Sequence, residues 1–163
     1  MMKAITIIDD ILSPAGAEKI TYQGKNTFLA LAIFPRLMRD IMKIEAKDTL
    51  ETNIRWDASD DPRKFYGMWM GIRKNDRWTK TKIRIIIQGT QDTKERIGNV
   101  TILLKGTVET SYEFSNFIQR GFWWAFNYWF YYKQRRMYMD YAKDDIKKIK
   151  HEVQRALGIL PPA

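Results

Sequence analysis

The sequence contains no cysteine and a single histidine, His151, among its 163 residues. The absence of cysteine excludes disulfides, thiolate nucleophiles, cysteine-ligated zinc and iron–sulfur clusters. One histidine argues against a metal site built on several imidazoles and against a serine–histidine–aspartate triad. His151 lies among lysines near the end of a helical pattern, where the helix dipole favours an exposed histidine. We therefore expect no metal, no cofactor and no catalytic residue.

Long aliphatic runs are also missing. The first eleven residues hold only a short apolar stretch interrupted by Asp9 and Asp10, which is too short for the core of a signal peptide. The most apolar window, 114–132, has the length of a membrane span, but it contains Arg120 and three amide side chains and is aromatic rather than aliphatic. We therefore expect a cytoplasmic protein in which this window forms a buried helix.

Positive charge, by contrast, is in excess. Lys and Arg number 28 against 19 Asp and Glu, and almost all of the resulting net charge of +9 lies after residue 76. A composition that is 45% hydrophobic and 29% charged is typical of one globular domain. The acidic cluster Asp57, Asp60 and Asp61 does not match a calcium-loop spacing, and Pro62 beside it indicates a turn.

The first 45 residues predict a β-hairpin followed by helical structure. Residues 3–8 and 18–23 are strand candidates separated by a turn sequence rich in proline and glycine. The helical pattern that follows contains Pro35 near its middle, although proline is tolerated best in the first turn of a helix. We therefore predict two short helices, 26–34 and 35–44.

Most of residues 49–109 follow a period of two, which is typical of β-strands, whereas residues 64–74 are apolar on both faces and predict a strand covered on both sides. Turn signals at 57–63, 75–76 and about 91–96 divide this stretch into an antiparallel meander of long strands. At about 3.3 Å per residue, such strands would outrun a domain of this size unless the sheet is strongly twisted and curved.

The remainder of the chain has a helical pattern over 112–157, and Gly158 with the prolines at 161–162 would end the helix. Without a break it would be about 67 Å long at 1.5 Å per residue, which exceeds the size of a compact domain. The helix must therefore break or protrude. The candidate breaks are Gly121 and residues 133–136.

This order of elements, a strand pair, two short helices, a curved meander and a long C-terminal helix, resembles the helix-grip fold of the START-like and polyketide-cyclase-like superfamily. The resemblance spans about residues 17–132 and rests on pattern, without a short motif. It implies an α+β fold in which a curved antiparallel sheet wraps a long C-terminal helix. Residues 1–132 would form the helix-grip domain and 133–163 a basic helical extension of the same domain. Members of the superfamily commonly bind lipids or other hydrophobic molecules, and some are enzymes.

The interior is the first candidate site. Strand alternation assigns one set of apolar side chains of the meander to the side facing the last helix, and methionine adapts to irregular apolar guests. A filled hydrophobic core is the competing interpretation. The candidate ligand-binding residues are seven residues of the meander and one tryptophan of the last helix. They are Trp56, Tyr66, Met68, Met70, Ile85, Ile102, Leu104 and Trp124.

The second candidate site is the aromatic run 122–132, in which nine of eleven residues are aromatic. At about 100° per residue these side chains project in every direction, whereas one sheet covers only one side. The paired helices 26–44 and a second copy of the protein could cover the rest, which predicts a homo-oligomer that buries part of 122–157. Alternatively, the outer aromatics could enter an anionic membrane interface or stack on nucleic-acid bases.

Two basic groups could contact such an anionic partner. The first group lies along one face of a strand, and its positive charge is offset if Glu51 and Glu109 share that face. The second group follows the aromatic run. The candidate docking residues are Lys80, Lys82, Arg84, Lys133, Arg135 and Arg136.

Two functional hypotheses follow. The first is a non-catalytic hydrophobic-ligand-binding or scaffold protein of helix-grip type that forms homo-oligomers. The second is a peripheral protein that docks on an anionic membrane or on nucleic acid through residues 120–136. No pattern in the sequence identifies a particular ligand or biological process.

Overall fold

The computed structural model describes residues 2–159 and has an α+β architecture, as the sequence predicts. The C-terminal helix is continuous and combines two α-helical parts joined by a π-helical turn. In chain order the elements are β1 (Lys3–Asp10), β2 (Glu18–Lys25), α1 (Leu29–Met42), a 3-10 turn (Ala46–Asp48), β3 (Thr49–Asp57), β4 (Arg63–Lys74), β5 (Thr79–Gln91), β6 (Ile97–Phe114), α2 (Phe117–Phe126), the π-helical turn (Asn127–Tyr131) and α3 (Tyr132–Ala156).

The six strands form one antiparallel sheet in the order β1-β6-β5-β4-β3, and the predicted meander is confirmed. The long strand β6 pairs with β2 along its first half and with β1 along its second half, so β1 and β2 lie end to end. The predicted hairpin of the first two strands is therefore wrong, because both strands pair with β6 instead of with each other. Within residues 2–159 the sheet is not closed, because β3 pairs only with β4. A strand as long as β6 lets the sheet curve around the helices packed on one face.

The hydrophobic core lies between this inner face of the sheet and helices α1 and α3. Burying each large aliphatic side chain stabilises the fold by about 1.5–3 kcal/mol, so this layer is the main source of stability. The side chains with no measurable exposure include Phe34, Met38, Ile83, Ile85, Ile87, Ile102, Leu104 and Ile149.

The predicted division of α1 into two short helices is wrong. The helix runs from Leu29 to Met42 with Pro35 in its interior, and it ends at Lys43, which has a φ of 57°. Interior proline costs a helix about 3 kcal/mol, but burial of one continuous apolar stripe outweighs that cost. The stripe consists of Ala30, Leu31, Phe34, Met38 and Met42.

Strand β4 presents one face to the core, and it is the face opposite to the one that the alternation pattern predicts. Its buried positions are Phe65, Gly67, Trp69 and Gly71. The glycines let α1 approach closely, because a Cβ would lie 2.6 Å from Leu31 Cδ2 at Gly67 and 2.7 Å from Met42 Sδ at Gly71. The residues that lie on the outer face instead are Tyr66, Met68 and Met70.

The C-terminal helix has no break at either predicted position. Gly121 lies inside α2, residues 133–136 lie inside α3, and the helix continues through the π-helical turn between them. Leu157 and Gly158 end it as predicted, whereas the prolines at 161–162 and the last residues of the predicted extension 133–163 lie outside the described residues. Within residues 2–159, no helix has both the length and the apolar character that a membrane crossing requires.

Candidate docking surface

Helix α2 begins at a side-chain cap directly after β6 ends. The Asn116 side chain accepts a hydrogen bond from the backbone N–H of Gln119 (2.9 Å). The Gln119 side chain in turn accepts one from the backbone N–H of Ser115 (2.8 Å). This reciprocal pattern, Asn followed three residues later by Gln, satisfies backbone donors that a helix start leaves free. The chain therefore changes from strand to helix within three residues.

An aromatic cluster attaches the inner side of α2 to the sheet. Tyr112 of β6 stacks on Trp123 with ring centroids 4.7 Å apart and an interplanar angle of 8°. Trp78, in the loop between β4 and β5, contacts Trp123 and Phe126 edge-on at 5.8 and 5.7 Å. The Trp123 indole also donates a hydrogen bond to the carbonyl oxygen of Glu113 (2.9 Å). One side of α2 is thus fixed to the end of β6.

Asp76 connects the β4–β5 loop to the helix at two tyrosines. One carboxylate oxygen accepts from the backbone N–H groups of Trp78 (2.8 Å) and Thr79 (2.9 Å). The other accepts from the hydroxyl groups of Tyr138 (2.8 Å) and Tyr131. Burial opposes ionisation of Asp76, but the hydrogen bonds from Tyr131 and the Trp78 amide outweigh it and lower the pKa below its usual range.

Burial raises the pKa of the tyrosines in this cluster. The pKa of Tyr112 rises to about 12. The pKa of Tyr131 also rises, because burial and the adjacent Asp76 carboxylate both disfavour a phenolate. Both tyrosines therefore remain neutral hydrogen-bond donors at physiological pH, and they act as structural anchors of the helix.

The π-helical turn decides which aromatic side chains face outward. Seven residues make about two turns of a regular α-helix, so Phe130 would lie on the same side as Trp123 if the helix were uniform. The π-helical turn accommodates one additional residue. As a result Tyr131 is buried against the sheet, and Phe130 is directed outward with 74% exposure.

The outward side of this segment carries a large apolar surface, which we call the aromatic face. Its eight members are between 48% and 83% exposed, whereas the sequence predicted a buried helix. Because a large aromatic side chain has about 150–250 Å² of surface, the aromatic face presents roughly 1,000 Å². The largest apolar patch on a typical monomer is about 300–600 Å². The members are Phe117, Ile118, Phe122, Trp124, Tyr128, Trp129, Phe130 and Tyr132.

The helical segment that carries the aromatic face has basic side chains and, between residues 117 and 139, no acidic ones. Arg120, Lys133 and Arg136 are exposed, and the Arg136 guanidinium lies 5.8 Å from the centre of the Tyr132 ring. Arg135, in contrast, is buried and forms an ion pair with Asp9, so it is not available at the surface, contrary to the prediction.

The second predicted basic row lies on the outer face of β5, as expected. Lys80 and Lys82 lie 3.7 and 3.0 Å from the Glu109 carboxylate, which offsets their charge. Arg84 is exposed, and Glu51 is not part of this row because it pairs with the inward-facing Trp69. Glu109 therefore offsets one of the three positive charges of this row.

The predicted ligand-binding residues do not form one site. Ile85, Ile102 and Leu104 are fully buried in the packed core. Trp56 lies at the edge strand beside Phe28 and is 43% exposed. The remaining members lie on the outer face of β4 or on the aromatic face. They are Tyr66, Met68, Met70 and Trp124.

Two depressions lie on the surface formed by residues 2–159. A shallow one of about 430 Å³ on the outer face includes Trp56, Tyr66 and Arg55. A groove of about 1030 Å³ runs between α2 and the β4–β5 loop and has basic and acidic side chains in its lining, among them Arg77 and Glu113. Neither combines an apolar interior with charge of one sign.

Reasoning from the sequence missed Phe117, Ile118 and the anchor Asp76. The Asn116 and Gln119 pair signals a helix start just before Phe117, and the lack of acidic residues over 117–139 extends the basic aromatic segment to the same point. The role of Asp76 depends on contacts between residues 55 and 62 positions apart, which no local pattern reveals.

Comparisons with known proteins give likenesses of structure only. No family model and no curated protein sequence matches the chain. A conserved protein from Geobacillus kaustophilus is similar at a TM-score of 0.27 and 10% identity, over 87% of this chain and 93% of that one. A Staphylococcus aureus protein of unknown function has a TM-score of 0.25 and 10% identity, over 87% and 96%. An uncharacterised Rhizobium leguminosarum protein has a TM-score of 0.22 and 6% identity, over 95% and 99%.

Proposed function

We propose that the protein is a non-catalytic scaffold of helix-grip type that acts by presenting the aromatic face to a binding partner. The observation that carries this proposal is the exposure of eight large apolar side chains on one side of a single helical segment. Exposed apolar patches of this size mark interaction surfaces in soluble proteins. A cytoplasmic location is part of the proposal.

The anchoring of the helix supports a surface built for binding. Trp123, Phe126 and Tyr131 hold the inner side of the segment, so the outer side chains are presented on a fixed backbone. Binding to a pre-ordered surface loses less conformational entropy than binding to a mobile one. The π-helical turn adds Phe130 to the outer side at the expense of regular helix geometry, and such turns are frequent at functional sites.

The rival function, binding of a hydrophobic ligand in the interior, has less support. A helix-grip protein that binds such a ligand needs an open space between sheet and helix. Here three of the residues predicted to line that space are packed in the core with no exposed surface. They are Ile85, Ile102 and Leu104. The sheet and long helix suit the helix-grip architecture, but the packed side chains favour a scaffold.

A matched pair of variants tests the proposal. Ile118→Gln combined with Trp129→Gln removes two outward side chains and should leave the melting temperature within a few degrees of the parent protein, because both are about 70% exposed. Trp123→Gln removes an inward side chain and should destabilise the fold by roughly 2–4 kcal/mol. Binding of a hydrophobic fluorescent dye should fall in the first variant.

The measurements are thermal denaturation followed by circular dichroism and dye fluorescence at equal protein concentration. If the outward double variant unfolds as readily as Trp123→Gln, the aromatic face is part of the core and the proposal fails.

A further inference from the structure

We propose that the partner of the aromatic face is the surface of an anionic lipid bilayer, with the side chains of the face in the interfacial region and Arg120, Lys133 and Arg136 at the lipid headgroups. This inference rests on the proposed function, because it assigns an occupant to the same surface. Charge, composition and geometry each support this occupant.

The charge of the segment favours an anionic bilayer over a second copy of the chain as the occupant of the aromatic face. In a two-fold symmetric dimer the same surface meets itself, so both copies would bring Arg120, Lys133 and Arg136 into one interface. Residues 117–139 offer no carboxylate to pair with them. Like charges juxtaposed in an interface are costly, whereas anionic headgroups neutralise all three.

The composition of the face also suits the boundary between water and hydrocarbon. Four members, Trp124, Tyr128, Trp129 and Tyr132, combine a large apolar ring with a polar N–H or O–H group. Such side chains concentrate at membrane interfaces, where one end is apolar and the other is hydrated. The purely apolar members, such as Phe117 and Phe122, can enter more deeply.

The geometry allows the helix to lie parallel to the bilayer surface. The anchored side of the helix holds Trp123 and Tyr131, so the opposite side is free along the whole segment 117–132, about 24 Å at 1.5 Å per residue. Lys133 and Arg136 follow Trp129 and Tyr132 by four residues, which puts the cations on the same side of the helix as these rings. An amphipathic helix with aromatic and basic side chains on one side is the usual form of an interfacial anchor.

Sedimentation of the full chain with lipid vesicles tests this inference. We expect binding to vesicles of phosphatidylcholine mixed with phosphatidylserine, and much weaker binding to phosphatidylcholine alone. Lys133→Gln with Arg136→Gln should weaken binding to the anionic vesicles roughly thirtyfold, since each cation near such a surface contributes about 1 kcal/mol, a factor of about five. Ile118→Gln with Trp129→Gln should abolish it.

Control variants remove the same number of charges and the same number of exposed apolar side chains elsewhere. Lys19→Gln with Lys105→Gln takes two exposed cations from the outer face of the sheet, and Ile8→Thr with Leu50→Thr takes two exposed aliphatic side chains. Both should leave vesicle binding within about threefold of the parent protein, because non-specific changes in net charge act only weakly at a distance.

Four results would overturn the inference: binding that is equal for neutral and anionic vesicles, no vesicle binding at all, loss of binding in the control variants, or tighter binding of a single-stranded oligonucleotide through the same residues. If there is no vesicle binding and light scattering shows a dimer that Ile118→Gln with Trp129→Gln dissociates, the occupant is a second copy and the proposed scaffold function survives. If that double variant unfolds, the proposed function itself fails.

Discussion

At the scale of single residues, Asp76 has the greatest influence on the position of the aromatic face. Its carboxylate joins the β4–β5 loop to Tyr131 and Tyr138, on either side of the start of α3. Hydrogen bonds to an ionised group are stronger than those between neutral groups and contribute about 1.5–3 kcal/mol each. One side chain thus fixes both the loop and the rotation of the helix.

Replacement of this carboxylate should therefore destabilise the protein. Asp76→Asn keeps one acceptor for the Trp78 and Thr79 amides but loses the charge that strengthens the tyrosine hydrogen bonds, so we expect a loss of about 1–3 kcal/mol at neutral pH. Tyr138→Phe, which removes one of these hydrogen bonds, should cost less. Urea denaturation at equal protein concentration measures both, and equal stability of Asp76→Asn and the parent protein would contradict this role.

The lowered pKa of Asp76 also predicts how this loss of stability depends on pH. Because the folded state lowers the pKa of Asp76, its contribution to stability is complete above the unfolded pKa of about 3.9 and is lost as the pH falls through the lower folded pKa. The stability difference between the parent protein and Asp76→Asn should therefore be constant from pH 5 to 7 and shrink below about pH 4.

At the scale of elements, the π-helical turn reconciles two anchors that a regular helix would not align. Trp123 and Tyr131 are eight residues apart, one more than two α-helical turns require. The additional residue lies in Asn127–Tyr131, where the outward side chains are exposed. The turn can therefore be removed without displacing either anchor.

Deletion of Tyr128 tests this account. It places Tyr131 seven residues after Trp123, so a regular α-helix should form with both anchors in place and stability within about 1 kcal/mol of the parent protein. Deletion of Tyr141, another exposed tyrosine, in α3, should instead rotate the buried residues that follow it out of the core and cost more than about 3 kcal/mol. Chemical denaturation distinguishes these outcomes, and comparable losses in the two deletions would contradict the account.

The sequence predicts the elements better than their orientation. Alternation in β5 and β6 identifies the buried isoleucines because the opposite positions are polar. In β4 both faces are apolar, so alternation cannot choose between Met68 and Trp69, and the choice is made by glycines that admit α1. In 122–132 nearly every position is aromatic, so no period indicates which side faces the sheet. The burial of Arg135 is also not predictable from a local pattern, because it depends on an ion pair with Asp9, which is 126 residues away in the sequence.

At the scale of the whole molecule, the C-terminal helix is about as long as the longest strand of the sheet. A helix of 40 residues measures about 60 Å at 1.5 Å per residue, and the 18 residues of β6 measure at most about 60 Å at 3.3 Å per residue. The sequence allowed the helix to break or to protrude, and the helix does not break between Phe117 and Ala156. Its α3 part packs on the core, whereas the outer side of its α2 part is exposed.

The predicted homo-oligomer stays a prediction, and salt distinguishes it from membrane docking. In lipid-free buffer the aromatic face should self-associate, and added salt should strengthen this association, because it screens the repulsion among Arg120, Lys133 and Arg136 while the apolar contact persists. Salt should weaken binding to anionic vesicles for the same electrostatic reason. The two processes share a surface but should respond to ionic strength in opposite directions.

Light scattering at micromolar concentration and vesicle sedimentation, each at low and high sodium chloride, measure these two responses. Ile118→Gln with Trp129→Gln should reduce both processes, whereas Lys133→Gln with Arg136→Gln should favour self-association and oppose vesicle binding, since the removed charges repel a second copy but attract anionic lipid. A dimer that salt dissociates would indicate an interface held by ion pairs, and the aromatic face would then not be the surface through which copies of the chain meet.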